Sequence, residues 1–300
     1  MNIPHAKIEA LLRVAADQIV MPLWRNLGRD DVTEKSAGDL TTSADTRCEV
    51  FLSSHLPGLI DGSLVLGEES VHEDPDLLAA LHTDAPVWVI DPLDGTRYFA
   101  VGEPKFAIMV CLIQTGITIG AWILNPIDGL LTSAERGAGA FQVGGAFQVG
   151  GAVQEGGRLA ADSSRLARES TRLVVDPSPL SLDRARGVAM TWYLPDALKS
   201  TAEAAKDHFQ FIERTRCAGY NYPSFAKNEL QFLFFYRTLV WDHAPGVLIA
   251  QEAGGFVRRL DGTEYSPVDD RKGLLCANNP ETWTLVQRTL VPSVEVVGGI

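Results

Sequence analysis

The spacing of apolar and polar residues predicts two helices near the N-terminus. Apolar side chains recur at a helical period over the first segment, which predicts an amphipathic helix that ends near Gly28. After a polar stretch, a second helix is predicted over residues 45–55, and Pro57-Gly58 stops it. The apolar face of the first helix consists of Ile8, Leu11, Leu12, Ala15, Ile19 and Leu23.

Apolar runs of strand length follow these helices. Residues 63–67 and 87–90 have the length and composition of short buried strands. Three further runs, over residues 106–114, 117–124 and 130–134, are separated by turn signals. Because the turns are Thr115-Gly116 and a segment from Asn125 to Gly129, the runs predict hairpins of an antiparallel sheet.

The second half of the chain mixes the two periods. Strands are predicted over residues 172–175, 230–236 and 274–277, and helices over 222–229, 242–253 and 280–290. The helix over 242–253 is ended by Gly254-Gly255. The expected fold therefore has an N-terminal antiparallel sheet with two long helices, and a C-terminal mixed sheet with flanking helices.

A glycine-rich repeat lies between the two halves. Gly-Ala-Phe-Gln-Val-Gly occurs twice within residues 139–150, and a weaker copy covers 151–156. A solenoid needs at least three stacking units, so we interpret the repeat as a local duplication that lengthens a hairpin or loop. We place the boundary between an N-terminal lobe, 1–155, and a C-terminal lobe, 156–300, at this segment.

Length and charge narrow the classes of function. The chain has 300 residues, with 26 Lys and Arg against 38 Asp and Glu, which gives a net charge of −12. Binding to a nucleic-acid polymer needs clustered basic residues, so that class is excluded. A small phosphate ester held through a metal ion is still allowed. No apolar run reaches the ~18 residues of a membrane span, so none is expected.

The cysteines are spread along the chain and form no Cys-x-x-Cys pair. This spacing argues against structural zinc and against a disulfide framework, and it predicts reduced thiols in the core. The N-terminus has no signal-peptide pattern. A cytoplasmic protein is therefore expected, with buried thiols at Cys48, Cys111, Cys217 and Cys276.

The clearest candidate for chemistry follows the predicted strand 87–90. Asp91 and Asp94 lie three residues apart around Pro92, which favours an extended Asp91 and should end strand pairing there. With the intervening Leu93 carbonyl, the two carboxylates can face one Mg²⁺, which prefers oxygen ligands. The N–H groups of Gly95 and Thr96 then open the following segment, where backbone donors attract phosphate. The alternative is an ordinary Asp-Gly turn that Asp94 caps.

Three further acidic positions stand at the ends of strands or the starts of helices. Glu68-Glu69 follows the strand 63–67, and the alternative for this pair is a solvated loop. Asp242 follows Trp241 and opens a helix, and Asp45 opens the second helix of the chain. For both of these aspartates, an N-cap is the alternative to a metal ligand.

In this order, the motifs resemble the signature of the inositol monophosphatase superfamily, the Mg²⁺-dependent, lithium-sensitive phosphomonoesterases. That signature has an upstream Asp, a Glu-Glu pair, Asp-Pro-(Ile/Leu)-Asp-Gly-Thr, and Trp-Asp followed by eleven residues and Gly-Gly. Here His243 to Ala253 separate Asp242 from Gly254-Gly255. The resemblance extends from about Lys35 to Asn278 and implies the layered α+β / α/β sugar-phosphatase fold.

The resemblance also implies a role for each matching residue. Glu68 would bridge metals and orient the attacking water, Thr96 would hold that water or take its proton, and Asp45 would act with them. The N–H groups of Gly95 and Thr96 would bind phosphate, and Lys35 and Glu69 would lie beside the site. Hydrolysis by a metal-activated water follows, with two or three Mg²⁺ ions and no phosphoenzyme. The implied metal ligands are Asp45, Glu68, Asp91, Leu93 through its carbonyl, Asp94 and Asp242.

The substrate is less determined than the chemistry. Members that cleave inositol phosphate have an acidic residue seven positions before the Trp-Asp aspartate, and here that position is Phe235. An aromatic ring cannot accept hydrogen bonds from inositol hydroxyls. Arg97 and Arg237 could hold a second phosphate or carboxylate, and the alternative is two surface arginines.

Three functions therefore stay open from the sequence. The first is hydrolysis of a small sugar or polyol phosphate. The second is a bisphosphate phosphatase acting on fructose 1,6-bisphosphate or 3′-phosphoadenosine 5′-phosphate. The third is a catalytically silent relative that binds metal and a phosphorylated ligand. The resemblance also implies a homodimer, a small phosphorylated metabolite as partner, and no membrane or nucleic-acid polymer.

Overall fold

In the computed structural model of this chain, residues 2–36, 39–144, 170–213 and 215–295 are described. The strands are β1 (Val32–Ser36), β2 (Asp39–Thr42), β3 (Leu64–Gly67), β4 (Val87–Asp94), β5 (Ala107–Gln114), β6 (Ile117–Leu124), β7 (Leu131–Glu135), β8 (Gly139–Val143), β9 (Ser170–Leu173), β10 (Arg186–Ala189), β11 (Phe211–Glu213), β12 (Phe232–Phe235), β13 (Phe256–Arg258) and β14 (Leu274–Ala277). The helices are α1 (His5–Ala15), α2 (Met21–Leu23), α3 (Ser43–His55), α4 (Glu68–Glu73), α5 (Thr96–Ala100), α6 (Asp196–Ala205), α7 (Ala218–Ala226), α8 (Val240–Glu252) and α9 (Pro280–Leu290).

The strands form one large sheet, one medium sheet and a hairpin. The seven-stranded sheet has the order β3-β4-β5-β6-β7-β8-β9 and is antiparallel except for the parallel pair β3/β4. The five-stranded sheet has the order β11-β10-β12-β14-β13 and is mixed, with β10 parallel to both of its neighbours. Strands β1 and β2 form the hairpin. The expected combination of an N-terminal, mainly antiparallel sheet and a C-terminal mixed sheet is confirmed.

Alternation along the strands divides the core into three layers. One face of the seven-stranded sheet, with Trp88 and Ile90, packs on α1 and α3. The opposite face, with Val89, packs on α7 and α8, and these helices also cover Leu233 of the five-stranded sheet. The far face of that sheet, with Phe232, packs on α6 and α9. Helices α7 and α8 are therefore enclosed between two sheets, which places the start of α8 deep in the protein.

Several predicted boundaries move in the structure, and some elements were missed. The first helix contains a π-helical turn, Ala16–Val20, and ends at Leu23, because Arg25 adopts a left-handed backbone with φ of 64°. The predicted helix 222–229 begins at Ala218 instead, and Asn228, with φ of 65°, lies just beyond its end. Sequence periodicity did not find α6, the β1–β2 hairpin, or the short strands β10, β11 and β13.

The structure also bears on the sequence predictions about the cysteines, the glycine-rich repeat and membrane-spanning helices. All four cysteines are free and buried, as predicted. Strand β8 contains residues 139–143 of the glycine-rich repeat, and Gly144 follows it. The repeat from residue 145 onward and the lobe boundary at residues 155 and 156 lie outside the described residues. Strand β9, which follows that boundary, pairs with β8 in the seven-stranded sheet. Within the described ranges, every helix is too short or too polar to cross a membrane.

Candidate active site

The central aspartates stand at the end of β4. Strand pairing with β5 does not stop at Asp91, as the sequence had suggested, but resumes at Asp94, which pairs with Ala107. The register shifts between these positions, so Pro92 and Leu93 form a bulge. The bulge gives Asp94 a different environment from Asp91: its Oδ2 accepts a hydrogen bond from the Gly219 N–H at 2.5 Å. Asp94 therefore also joins the end of β4 to the start of α7.

Glycine is required directly after this strand. Gly95 has φ of 89°, and a Cβ atom there would lie 2.4 Å from the Lys105 carbonyl oxygen. The chain can therefore turn from β4 into α5 only with a residue that lacks a side chain. The turn brings Thr96 to the first position of α5.

Glu68 reaches the same place from the neighbouring strand. Because β3 is parallel to β4, its end at Gly67 lies beside Ile90, and Glu68 begins α4 just beyond it. The alternative of a solvated loop is wrong for this pair. Lys35 Nζ contacts Glu68 Oε1 at 3.2 Å and Glu69 Oε1 at 2.8 Å.

Asp242 completes the group from the first turn of α8. The N-cap of this helix is Leu239, so the alternative in which Asp242 serves as N-cap is wrong. Its carboxylate instead faces Glu68 and Asp91, and one oxygen from each of these three residues lies within 4.8 Å of the others. This spacing fits ligands of one or more cations, and the residues that supply it come from three separate elements.

Asp45 is linked through Thr96 to the Leu93 carbonyl, between Asp91 and Asp94 in the chain. The N-cap of α3 is Thr42, and Asp45 occupies the third helical position, so its carboxylate accepts bonds from the Thr42 N–H and hydroxyl. The other oxygen of Asp45 lies 2.9 Å from Thr96 Oγ1, which is also 2.9 Å from the Leu93 carbonyl oxygen. The Thr96 hydroxyl has one hydrogen, so it donates to one of these oxygens at a time.

Burial shifts the acidity of every carboxyl in this group. It raises the pKa of Glu68 to about 8, where the Asp242 charge adds to the effect, and the pKa of Asp242 to about 7, where Asp94 adds. Burial also raises the pKa of Asp94 to about 6 and that of Asp45 to about 7. For Asp91, burial and the Glu68 charge raise the pKa well above its ordinary value. Such a set of mutually repelling oxygens gains most from a bound divalent cation.

A cavity of about 180 Å³ opens above these carboxylates. Phe235 lines it, but its side chain is buried and packs on Tyr222 and His243. Arg97 and Arg237 line it as well, and Arg97 is exposed whereas Arg237 is half-buried. Sequence reasoning missed two other lining residues, Arg216 and Tyr193, because they follow no recognisable motif.

Sequence reasoning also missed Glu49, which holds the start of α4 from below. Its carboxylate is buried and accepts hydrogen bonds from the Glu69 N–H at 2.8 Å, the Ser70 N–H at 2.8 Å and the Ser70 hydroxyl at 2.5 Å. A Cβ atom on Gly67 would lie 2.1 Å from the carboxyl carbon of Glu49. Gly67 therefore allows this carboxylate to fix the turn that carries Glu68.

Replacement of Glu49 by glutamine should weaken cation binding more than folding. The amide offers one acceptor instead of two and points an NH₂ group at N–H donors, so the Glu68 turn loosens. We expect the Mg²⁺ concentration for half-saturation of the protein to rise by about fivefold or more, as measured by calorimetric titration. Glu73→Gln, at the exposed end of α4, is the control. An unaltered Mg²⁺ affinity in Glu49→Gln would show that Glu49 does not position the site.

Comparison with known sequences gives a consistent family match. A sequence model of the inositol monophosphatase family matches residues 5–295. Nus factor SuhB of Xylella fastidiosa is 27% identical over 296 residues, which cover 98% of this chain and 96% of the relative. The inositol-1-monophosphatase of Mesorhizobium japonicum is 27% identical over 309 residues, which cover 95% of this chain and 96% of the relative.

Solved structures share the fold. The extragenic suppressor protein suhB of Bartonella henselae superposes with a TM-score of 0.75 at 22% identity, over 97% of this chain and 99% of that one. An IMPase of Thermotoga maritima superposes with a TM-score of 0.72 at 21% identity, over 95% of this chain and 96% of that one. The layered arrangement of helices and sheets is therefore shared across almost the full length of these proteins.

Proposed function

This chain belongs to the inositol monophosphatase family, and from that premise we propose that it hydrolyses a small phosphate monoester with Mg²⁺ as cofactor. The observation that carries the proposal is the close approach of three carboxylate oxygens, from Glu68, Asp91 and Asp242, at the base of a cavity. Phosphoryl transfer needs positive charge at such a place, since the reacting group is itself negative.

The residues present fit Mg²⁺. All of the proposed ligands offer oxygen, which this ion prefers, and Asp45, Asp91 and Leu93 among them are buried. Among the described residues, Lys35 is the cation that forms an ion pair with this carboxylate group. Two or three ions are proposed, which would be held by Glu68, Asp91, Asp94, Asp242, Asp45 and the Leu93 carbonyl.

Side chains and backbone N–H groups of the protein have separate proposed roles in hydrolysis of the ester. Bound Mg²⁺ supplies positive charge that stabilises the phosphoryl group and acidifies water. Glu68 and Thr96 orient the attacking water, and the Thr96 hydroxyl can pass a proton toward Asp45 through its 2.9 Å contact. The N–H groups of Gly95 and Thr96 are the proposed phosphate donors. Their place in the cavity lining, beside Asp91 and Asp94, supports this role.

The alternatives differ in the leaving alcohol. The first candidate is a sugar or polyol phosphate, and the second is a bisphosphate such as fructose 1,6-bisphosphate or 3′-phosphoadenosine 5′-phosphate. A role without catalysis, through binding of metal and a phosphorylated ligand, has one specific observation in its favour, the name Nus factor carried by the Xylella relative. The presence of Thr96 together with every proposed metal ligand favours catalysis.

Phosphate release from a panel of esters tests the proposal. The panel contains inositol 1-phosphate, fructose 1,6-bisphosphate, 3′-phosphoadenosine 5′-phosphate, histidinol phosphate and glycerol 2-phosphate, each assayed with Mg²⁺ and with EDTA. We expect release from at least one ester that depends on Mg²⁺ and that lithium inhibits. Protein that binds Mg²⁺ yet hydrolyses none of the panel would contradict the proposal. Light scattering on the same sample tests the homodimer that the family resemblance implies.

A further inference from the structure

Three arginines surround the mouth of the active-site cavity. Arg97, Arg216 and Arg237 line the same cavity as Glu68 and Asp242. Within the part of the chain that the structure describes, none of the three forms an ion pair with a carboxylate. These three guanidinium groups therefore lack a carboxylate ion-pair partner among the described residues, although carboxylates line the same cavity.

Two of these arginines lie on adjacent aromatic side chains. The Arg216 guanidinium carbon lies 3.8 Å from the centre of the Trp192 ring. The Arg237 guanidinium carbon lies 5.3 Å from the centre of the Tyr193 ring, and Nη1 lies 3.4 Å from the Tyr193 hydroxyl oxygen. Contact with a ring restricts a guanidinium group and leaves its N–H edge available to a planar anion.

Arg237 is also fixed through its backbone. The buried side chain of His243 donates from Nε2 to the Arg237 carbonyl oxygen at 3.0 Å, and its Nδ1 accepts from the Tyr222 hydroxyl at 3.0 Å. A neutral imidazole has one donor and one acceptor nitrogen, so the ring can make both bonds. These two bonds hold the backbone of Arg237 beside the cavity that its side chain lines.

Carboxylates and arginines both line the cavity, and together they indicate the kind of ligand that it binds. The carboxylates would hold Mg²⁺, and Mg²⁺ would hold the reacting phosphate, whereas the three arginines form no ion pair with a carboxylate of the described residues and stay available to another group. Phe235, on the same wall, offers no hydrogen bond to a neutral hydroxyl group. We propose that the alcohol part of the substrate carries a second anionic group, a carboxylate or phosphate, which Arg216 and Arg237 bind. This inference rests on the proposed phosphatase function.

Matched pairs of esters test the second anion directly. The first pair is 2-phosphoglycerate and glycerol 2-phosphate, which differ by a carboxylate in place of a CH₂OH group. The second pair is fructose 1,6-bisphosphate and fructose 1-phosphate. We expect kcat/KM to be at least about tenfold higher for the more anionic member of one pair or both. In Arg237→Gln, the ratio of kcat/KM between the two members of that pair should fall by about tenfold. A preference in one pair alone identifies which anion is bound.

Arg184→Gln is the matched control, because it removes the same charge from an exposed residue outside the cavity. Equal kcat/KM within both pairs, or an unchanged ratio in Arg237→Gln, would overturn the inference. If none of the four esters is hydrolysed, the pairs are compared as ligands by thermal shift with Mg²⁺, and the phosphatase proposal itself is decided by the panel of five esters. A larger increase in melting temperature with the more anionic member, if the Arg237→Gln variant loses that difference, supports the second-anion site. Equal increases with both members overturn it.

Discussion

Asp94→Asn should reduce kcat/KM by about 10³-fold or more, which corresponds to about 4 kcal/mol of transition-state stabilisation. The exchange removes one negative charge from the carboxylate group and keeps the shape of the side chain. Asparagine can still accept the hydrogen bond from the Gly219 N–H, so the contact between β4 and α7 survives. Folding should therefore be retained, and the metal-free variant should be at least as stable as the wild type, because one buried charge is gone.

The measurements for this variant are steady-state phosphate release on the best ester and a urea unfolding curve in EDTA. Asp84→Asn, on an exposed loop, makes the same chemical change away from the cavity and should behave as wild type. Full activity in a folded Asp94→Asn protein would remove Asp94 from the proposed site. Loss of activity together with loss of the cooperative unfolding transition would instead assign Asp94 a structural role.

The parts of the site that could be predicted from sequence are those encoded locally. Asp91, Asp94, Gly95 and Thr96 lie within one strand and the turn after it, where Pro92 and a glycine with positive φ leave a clear pattern. Even here one prediction was wrong, because Pro92 lies in a bulge within the strand and does not end strand pairing at Asp91. The helix positions of Asp45 and Asp242 were predicted close to their observed places, but both were one turn inside the N-cap.

The parts that could not be predicted depend on contacts between distant segments. Glu49 supports the Glu68 turn from within α3, and an acidic residue on a helix carries no signal that its carboxylate is buried. Arg216 and Tyr193 meet at the cavity only because α7 and the five-stranded sheet pack together. The same tertiary packing buries neutral His243, whose role in holding Arg237 follows from two bonds that no spacing in the sequence reveals.

Stabilisation by Mg²⁺ should increase steeply with pH. The pKa values of about 8 for Glu68, about 7 for Asp45 and Asp242, and about 6 for Asp94 lie above those of ordinary carboxyls. Between about pH 4 and about pH 8 the folded, metal-free protein therefore binds more protons than the unfolded chain, so these groups make it less stable as pH rises. Each unit of raised pKa corresponds to about 1.4 kcal/mol per group.

Mg²⁺ held at the proposed site would replace those protons and cancel the repulsion between the carboxylates, so its effect should be largest where they are ionised. The free energy of unfolding should be measured by urea titration in EDTA and in saturating Mg²⁺, each at about pH 5.5 and at about pH 8. The increase in this free energy that Mg²⁺ causes should be larger at the higher pH by at least about 2 kcal/mol. His243, buried and neutral, destabilises the folded state at low pH, but it does so with and without Mg²⁺ and cancels from the gain. Asp94→Asn should show a smaller gain at both pH values. If the increase in the free energy of unfolding is independent of pH, the carboxyls with raised pKa values do not bind the ion.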